Sequence, residues 1–230
     1  MKLNELFEHH DGRECGKWKH YFDVYERYFQ SYVGKEVYIL ELGVCQGGSL
    51  QLWKKYFGDK AKVVGVDIDP RAKYEEDQIE VEIGDLRDSK FLKYLIEKHG
   101  RPDIIIDDAS HETQQTLWTF GFFMPTLDDN GIYVIEDTHT HYRPEYNGGT
   151  KNPFNIINAL SAMTHDVNVN HIEEAFTPGL GSVKSISYYD SLVILEKGNT
   201  ETEPVFRGIS QYNDKVTAEE EAVQMQTRPR

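Results

Sequence analysis

The chain has 230 residues, 39% of them hydrophobic and 28% charged, a composition that supports one substantial α/β domain rather than a disordered segment. Its 39 acidic against 25 basic residues give a formal charge of −14, which weighs against a protein that holds nucleic acid through phosphates. No apolar run approaches the ~20 residues of a membrane span and the first residues carry no apolar signal core; with only Cys15 and Cys45 available, a reducing, cytoplasmic setting is expected.

Residues 1–16 read as a loosely held polar lead-in. From Trp18 the rings of Tyr21, Phe22, Tyr25, Tyr28 and Phe29 recur at spacings of three and four, one stripe of a helix that packs on the domain or on a second subunit. Lys17, Trp18, His20 and Tyr21 are also placed to form part of a lid over a ligand. Residues 37–41 are a short apolar strand, and the turn 42–49 carries Gly43, Gly47 and Gly48 before a helix with Leu50, Leu52, Trp53 and Tyr56. Glycines there permit positive φ and close approach of backbone to ligand, and the free N–H groups of the helix start can meet a polar group. The strand 62–66 ends in Asp67, 24 positions after Gly43, the usual place for a carboxylate that accepts bonds from ribose hydroxyls. The dinucleotide fingerprint G-x-G-x-x-G is absent, because Cys45 stands at its second glycine.

Residues 79–83 alternate like a strand and end at Gly84-Asp85; Asp85 or Asp88 is placed to cap a helix over 88–98. Pro102 introduces the apolar strand that ends in Asp107-Asp108. A helix is expected from 111 to 123, capped by Asp108 or Ser110, and a further strand ends in Glu136-Asp137. The loop 138–151 holds His139, His141 and Tyr142 at the same sheet edge, placed to contact substrate. A helix follows over 153–163. Residues 164–181 form a loop marked by Pro178-Gly179 and Gly181. Residues 183–188 and 191–196 are strands joined so tightly that they must form an antiparallel hairpin. The organisation expected is a helical lead-in or lid over 1–35, a catalytic domain over 36–198 and a polar tail over 199–230.

Asp108, Glu136 and Asp137 lie at or just past two strand ends. Carboxylates clustered there repel one another, and a divalent cation removes the conflict. Oxygen donors suit Mg²⁺, whose open positions would take two adjacent substrate hydroxyls. His111, three residues after Asp108, reaches the same pocket and would take the hydroxyl proton as general base.

Glu41-Leu42-Gly43 with Gly47-Gly48, followed by Gly65-Val66-Asp67-Ile68-Asp69, resembles the cofactor site of class I S-adenosylmethionine (SAM) methyltransferases. The resemblance implies an α/β, Rossmann-like fold: a seven-stranded, mostly parallel sheet with a C-terminal antiparallel hairpin and helices on both faces. It implies that the loop with Glu41, Gly43, Gln46, Gly47 and Ser49 lies along the methionine part of SAM. Asp67 would then bind the ribose and Asp85 the adenine, while Asp107 touches the cofactor or serves the structure. Asp108-Ala109-Ser110-His111 with Glu136-Asp137 28 positions on resembles the metal-dependent sugar O-methyltransferases of macrolide biosynthesis, of the mycinamicin and macrocin type. That resemblance implies Mg²⁺ held by Asp108, Glu136 and Asp137, and His111 as base. The expected activity is methylation of a sugar hydroxyl on a glycoside, natural product or nucleotide-sugar, by a protein that binds neither nucleic acid nor membrane, with a homo-oligomer as one of its expected states. The alternatives are a catechol-type acceptor, a non-haem iron oxygenase-like centre built on His111, His139 and His141, and a SAM-binding protein without catalysis.

Overall fold

The computed structural model describes residues 1–172, 177, 180 and 182–199. Eight strands form one sheet: β1 (Val37–Leu42), β2 (Ala61–Asp67), β3 (Glu75–Glu76), β4 (Ile79–Ile83), β5 (Ile104–Asp107), β6 (Ile132–Ile135), β7 (Val183–Tyr189) and β8 (Leu192–Lys197). Their spatial order is β3-β4-β2-β1-β5-β6-β8-β7. From β4 to β6 all neighbours are parallel. β8 runs antiparallel between β6 and β7, which is the hairpin that the short connection at residues 190–191 demanded. The expected seven strands are joined by one more, β3, a pair of glutamates at the far edge with no apolar alternation to read.

Every residue of β1, β5 and β6 is buried, as unbroken apolar runs in a covered parallel sheet require. Alternation sorts their side chains between two layers. Ile39, Val63, Ile104, Ile106 and Val134 pack with Tyr25, Phe29 and Trp53, from helices α2 (Tyr21–Phe29) and α3 (Gly48–Phe57). Leu40, Val64, Ile105 and Tyr133 pack with Leu92, Phe120, Phe123 and Leu160, from α4 (Ser89–His99), α5 (Thr113–Thr126) and α6 (Ile156–Ala162). β2 and β5 lie on opposite sides of β1. The strand order therefore reverses at β1 and β5, and a crevice opens at their carboxyl ends, where ligands bind in sheets of this kind.

Several boundaries move for local reasons. α4 is capped by Asp88, whose carboxylate accepts from Lys90 N at 2.8 Å. α5 starts at Thr113 with Glu112 at the cap position, because His111 has a left-handed backbone, φ 56°. Ser110 Oγ instead accepts from Glu112 N in the bend before it. α6 starts at Ile156 under Asn155, whose side chain accepts from Ile157 N and donates to His141 O. The loop markers Pro178, Gly179 and Gly181, and the tail beyond Asn199, lie outside the described residues. No helix among those described is long and apolar enough to cross a membrane.

The first sixteen residues depart from expectation. Residues Leu3–Glu8 form helix α1; Leu3 is fully buried and its N–H donates to Glu26 Oε2 at 2.9 Å. Phe7 packs on Phe22 with ring centroids 4.6 Å apart. Two turns give too short a stripe for periodicity to stand out from the charges around it. Leu3→Ala should therefore cost about 2–4 kcal/mol in urea unfolding, whereas a loose lead-in would leave the midpoint unchanged.

Candidate active site

The loop between β1 and α3 is shaped by the chain that leaves β5. Gly43 has φ +92°, and a Cβ there would lie 2.2 Å from the carbonyl oxygen of Asp108. Only glycine satisfies both the backbone angle and the close crossing. Gly47, φ +87°, is likewise pressed against the ring of Tyr74, whose hydroxyl donates to Gly47 O. Asp67 accepts from the N–H groups of Val44 and Cys45 on Oδ2 and from Asp69 N on Oδ1. It thus fixes the loop while still facing the crevice.

A cavity of about 200 Å³ runs from Gly43 and Asp67 past Ile68 to Asp85 and Leu86. A second, of about 390 Å³, runs from Gly43 and Asp67 past Gln46 and Ser49 to Lys17 and Asp108. They share Gly43, Asp67 and Ala109 and together make an elongated cleft. At one end Asp85 is gripped by Arg87, through its backbone N–H and its guanidinium, and that hydrogen bonding holds the carboxyl below its usual range. Behind Ser49, which lines the other end, Glu41 is fully buried. Its Oε2 accepts from Ser49 Oγ and Trp53 Nε1, its Oε1 has no hydrogen-bond partner, and burial pushes its pKa up to about 7. Asp107 lines neither cavity. It turns under α5, where Thr119 Oγ1 and Tyr133 O–H donate to it at 2.6 and 3.2 Å, and burial pushes it up to about 6.

A third cavity, of about 320 Å³, adjoins the cleft and is lined by Gly16, Lys17, Trp18, Lys19, Asp108, Glu136 and Asp137. Asp108, His111 and Asp137 each place one ligand atom within 4.8 Å of the others. His111 Nε2 lies 3.8 Å from Asp108 Oδ1 and 3.7 Å from Asp137 Oδ2. Both His111 and Asp137 hold left-handed backbones, φ 56° and 51°, the kind of local strain that turns a side chain out of the regular course of its element. Trp18 Nε1 and Tyr21 O–H donate to Asp137 Oδ1, each at 2.9 Å, which leaves Oδ2 toward His111.

Glu136 does not join that trio. Adjacent residues at a strand end point to opposite sides, and Glu136 turns inward. Its Oε1 accepts from Tyr25 O–H at 2.5 Å and from Lys17 Nζ at 2.7 Å, and burial, then Asp108, pushes its pKa up to about 8. It belongs to a second metal-competent group with Glu41 and Asp108. Lys17 stands at the centre of that group, 2.5 Å from Asp108 Oδ2 and 3.5 Å from Glu41 Oε1, its side chain 2% exposed. Burial works against its charge, but the carboxylates of Glu136, Asp108 and Glu41 outweigh that and keep it protonated.

The loop residues separate. Tyr142 is half-exposed, and His139 meets Trp18 edge-on at 6.0 Å. His141 is fully buried with Nδ1 3.3 Å from Thr113 Oγ1, out of reach of a substrate. Sequence reading missed the buried role of Lys17, the two tyrosine hydroxyls of α2 on the acids, and Arg13, which lies over the Tyr74 ring and donates to Gln46 O. A lysine ahead of an aromatic stripe was the one signal present for the first of these.

The family described as a methyltransferase domain matches residues 40–138. The chain is 33% identical over 210 residues to the 8-demethyl-8-(2-methoxy-alpha-L-rhamnosyl)-tetracenomycin-C 3'-O-methyltransferase of Streptomyces olivaceus, covering 85% of this chain and 54% of that protein. It is 30% identical over 210 residues to the demethylmacrocin O-methyltransferase of Streptomyces fradiae, covering 85% and 53%. A structure of MycE, a methyltransferase from the mycinamycin biosynthetic pathway in complex with Mg and SAH, superposes with a TM-score of 0.79 over 97% of this chain and 60% of that one. At 24% identity that likeness speaks to the fold. The chain spans about half the length of the curated relatives it matches.

Gly43→Ala should destabilise the protein by about 2–3 kcal/mol, since it sets a methyl group against the Asp108 carbonyl in a left-handed backbone; urea unfolding measures this. Burial, then His111 and His139, lowers the pKa of His141 from its ordinary 6.5 to about 4. Between those values the unfolded chain binds the proton and the folded chain does not, so stability should fall as pH drops from about 6.5 to about 4. His141→Gln should remove that part of the pH slope in denaturation midpoints.

Proposed function

We propose that this chain, which carries a class I SAM-dependent methyltransferase domain and resembles the macrolide-sugar O-methyltransferases of the mycinamicin and macrocin type, methylates a sugar hydroxyl of a glycoside, natural product or nucleotide-sugar. The observation that carries the proposal is the convergence of Asp108 Oδ1, Asp137 Oδ2 and His111 Nε2 on a cavity that shares Gly16, Lys17 and Asp108 with the cleft behind it.

The residues present fit both implied groups. The cleft is cradled by Gly43, whose Cβ would collide with the backbone of Asp108, and Asp67 stands at its middle, between the loop with Gln46 and Ser49 and the end with Asp85. This suits an elongated nucleoside carrying an amino acid, with Gly43, Gly47, Ser49 and Gln46 along the methionine part and Asp67 at the ribose. Asp108 and Asp137, with Glu136 behind them, offer the hard oxygen donors that Mg²⁺ prefers. When bound, Mg²⁺ lowers the pKa of substrate hydroxyls.

Within that frame the side chains divide the work. His111 Nε2 takes the proton of the acceptor hydroxyl as general base. Trp18, about half exposed, and Tyr142 border the acceptor and present faces on which a sugar can lie. Residues 1–35 act as the cover of the site, since Lys17, Trp18, Tyr21 and Tyr25 all hold its acids; residues 36–198 supply the catalytic domain, and the enzyme works in the cytoplasm. An iron centre built on three histidines has less support, because of the three only His111 stands in the acidic cluster and His141 is buried away from it.

SAH should bind by calorimetry, and Asp67→Ala should weaken it tenfold or more. Methyl transfer to a panel of glycosides should stop in EDTA and return with Mg²⁺. His111→Ala should lower kcat by about 10²–10⁴-fold with SAH affinity unchanged. Failure of the wild-type protein to bind SAH would sink the proposal.

A further inference from the structure

The acidic pocket already holds a cation of its own. Glu41, Asp108 and Glu136 come from the ends of three neighbouring strands, and all three turn to one ammonium, Lys17 Nζ, at 3.5, 2.5 and 2.7 Å. Their ligand atoms lie within 4.8 Å of one another, so the same three carboxylates form a metal-competent group, more deeply buried than the trio of Asp108, His111 and Asp137. Asp108 belongs to both. Other donors complete the inner group: Tyr25 O–H bonds Glu136, and Ser49 and Trp53 bond Glu41. Three oxygens from three acids around a compact three-donor head is what an ammonium satisfies and a planar guanidinium does not.

We propose that Lys17 is a positioning residue that competes with the divalent ion for Asp108 and Glu136: its ammonium holds these carboxylates in place before the ion arrives and weakens the ion's grip on them afterwards. This rests on the reading of the site as a Mg²⁺ centre given above. Three clustered carboxylates, two of them buried, with no resident positive charge repel one another and protonate or splay. With the ammonium present they stay aimed, but a divalent ion entering beside Asp108 must share it with a positive charge only a hydrogen-bond length away. The result is a site that is preorganised and yet binds its ion exchangeably. Lys17 also lines both the cleft and the adjoining cavity, so the same side chain is part of the wall between donor and acceptor.

The sign of one measurement separates this from a merely structural role. Mn²⁺ binding is followed by electron paramagnetic resonance on the full chain, as wild type, Lys17→Met and the control Lys19→Met, which removes an exposed charge lining the same cavity. Competition predicts that Lys17→Met binds Mn²⁺ at least tenfold more tightly and that Lys19→Met changes affinity less than about threefold. A strut that only supports Asp108 predicts weaker binding in Lys17→Met, and unchanged or weaker binding there overturns the inference alone. Wild-type protein that binds no Mn²⁺ overturns both this inference and the Mg²⁺ reading beneath it. Should Lys17→Met fail to fold, the wild-type protein carries the test by nitrogen-15 NMR of its lysine ammonium groups. The protected Lys17 protons should exchange faster with water as Mg²⁺ is added; exchange that does not change overturns the competition.

Discussion

The arrangement depends on one buried charge. Lys17 offsets the charge of carboxylates at the carboxyl ends of β1, β5 and β6, of which Glu41 and Glu136 are buried and Asp108 reaches the cavities. Isolated, each buried carboxylate would cost several kcal/mol. Sharing one ammonium, they become a strap that ties the N-terminal segment to the sheet at the point where the strand order reverses. Tyr25 and Tyr21 extend the strap to Glu136 and Asp137, and the aromatic stripe of α2 locks it where Tyr25 and Phe29 pack on Trp53. The helix that a pattern-reader would assign to packing is also the element that orients the acids.

Around that anchor, the reactive groups are delivered by backbone that leaves regular geometry. Asp107 ends β5 in the core, held by Thr119 and Tyr133; Asp108 turns outward; His111 reaches back from a left-handed residue. The same alternation repeats at β6, where Glu136 faces inward and Asp137, again left-handed, faces out. Two neighbouring strand ends thus each give one inward and one outward carboxylate. The outward pair flanks the imidazole. The inward pair stabilises the surroundings, Asp107 through neutral hydroxyls and Glu136 through a cation and a phenol. Gly43 makes the crossing of the β1 and β5 loops possible, where a Cβ would meet the Asp108 carbonyl.

Sequence alone determined the sheet core, the glycine turn, the acid after β2, the hairpin and, of the expected group Asp108, His111, Glu136 and Asp137, the approach of all but Glu136. Each is carried by local periodicity, turn chemistry or strand-end placement, all readable within a few residues. Tertiary structure alone decided which acids share a space. Glu136 and Asp137 are neighbours in sequence and part company because side chains alternate at a strand end; His141 sits two residues from His139 and is buried because Asn155 and Thr113 hold its turn. Lys17 lies 91 positions from Asp108 and 119 from Glu136, and no local pattern connects residues so far apart. Only the packing of α2 against the sheet brings that ammonium to the strand ends, because long-range electrostatic pairing is a property of the fold and not of any segment.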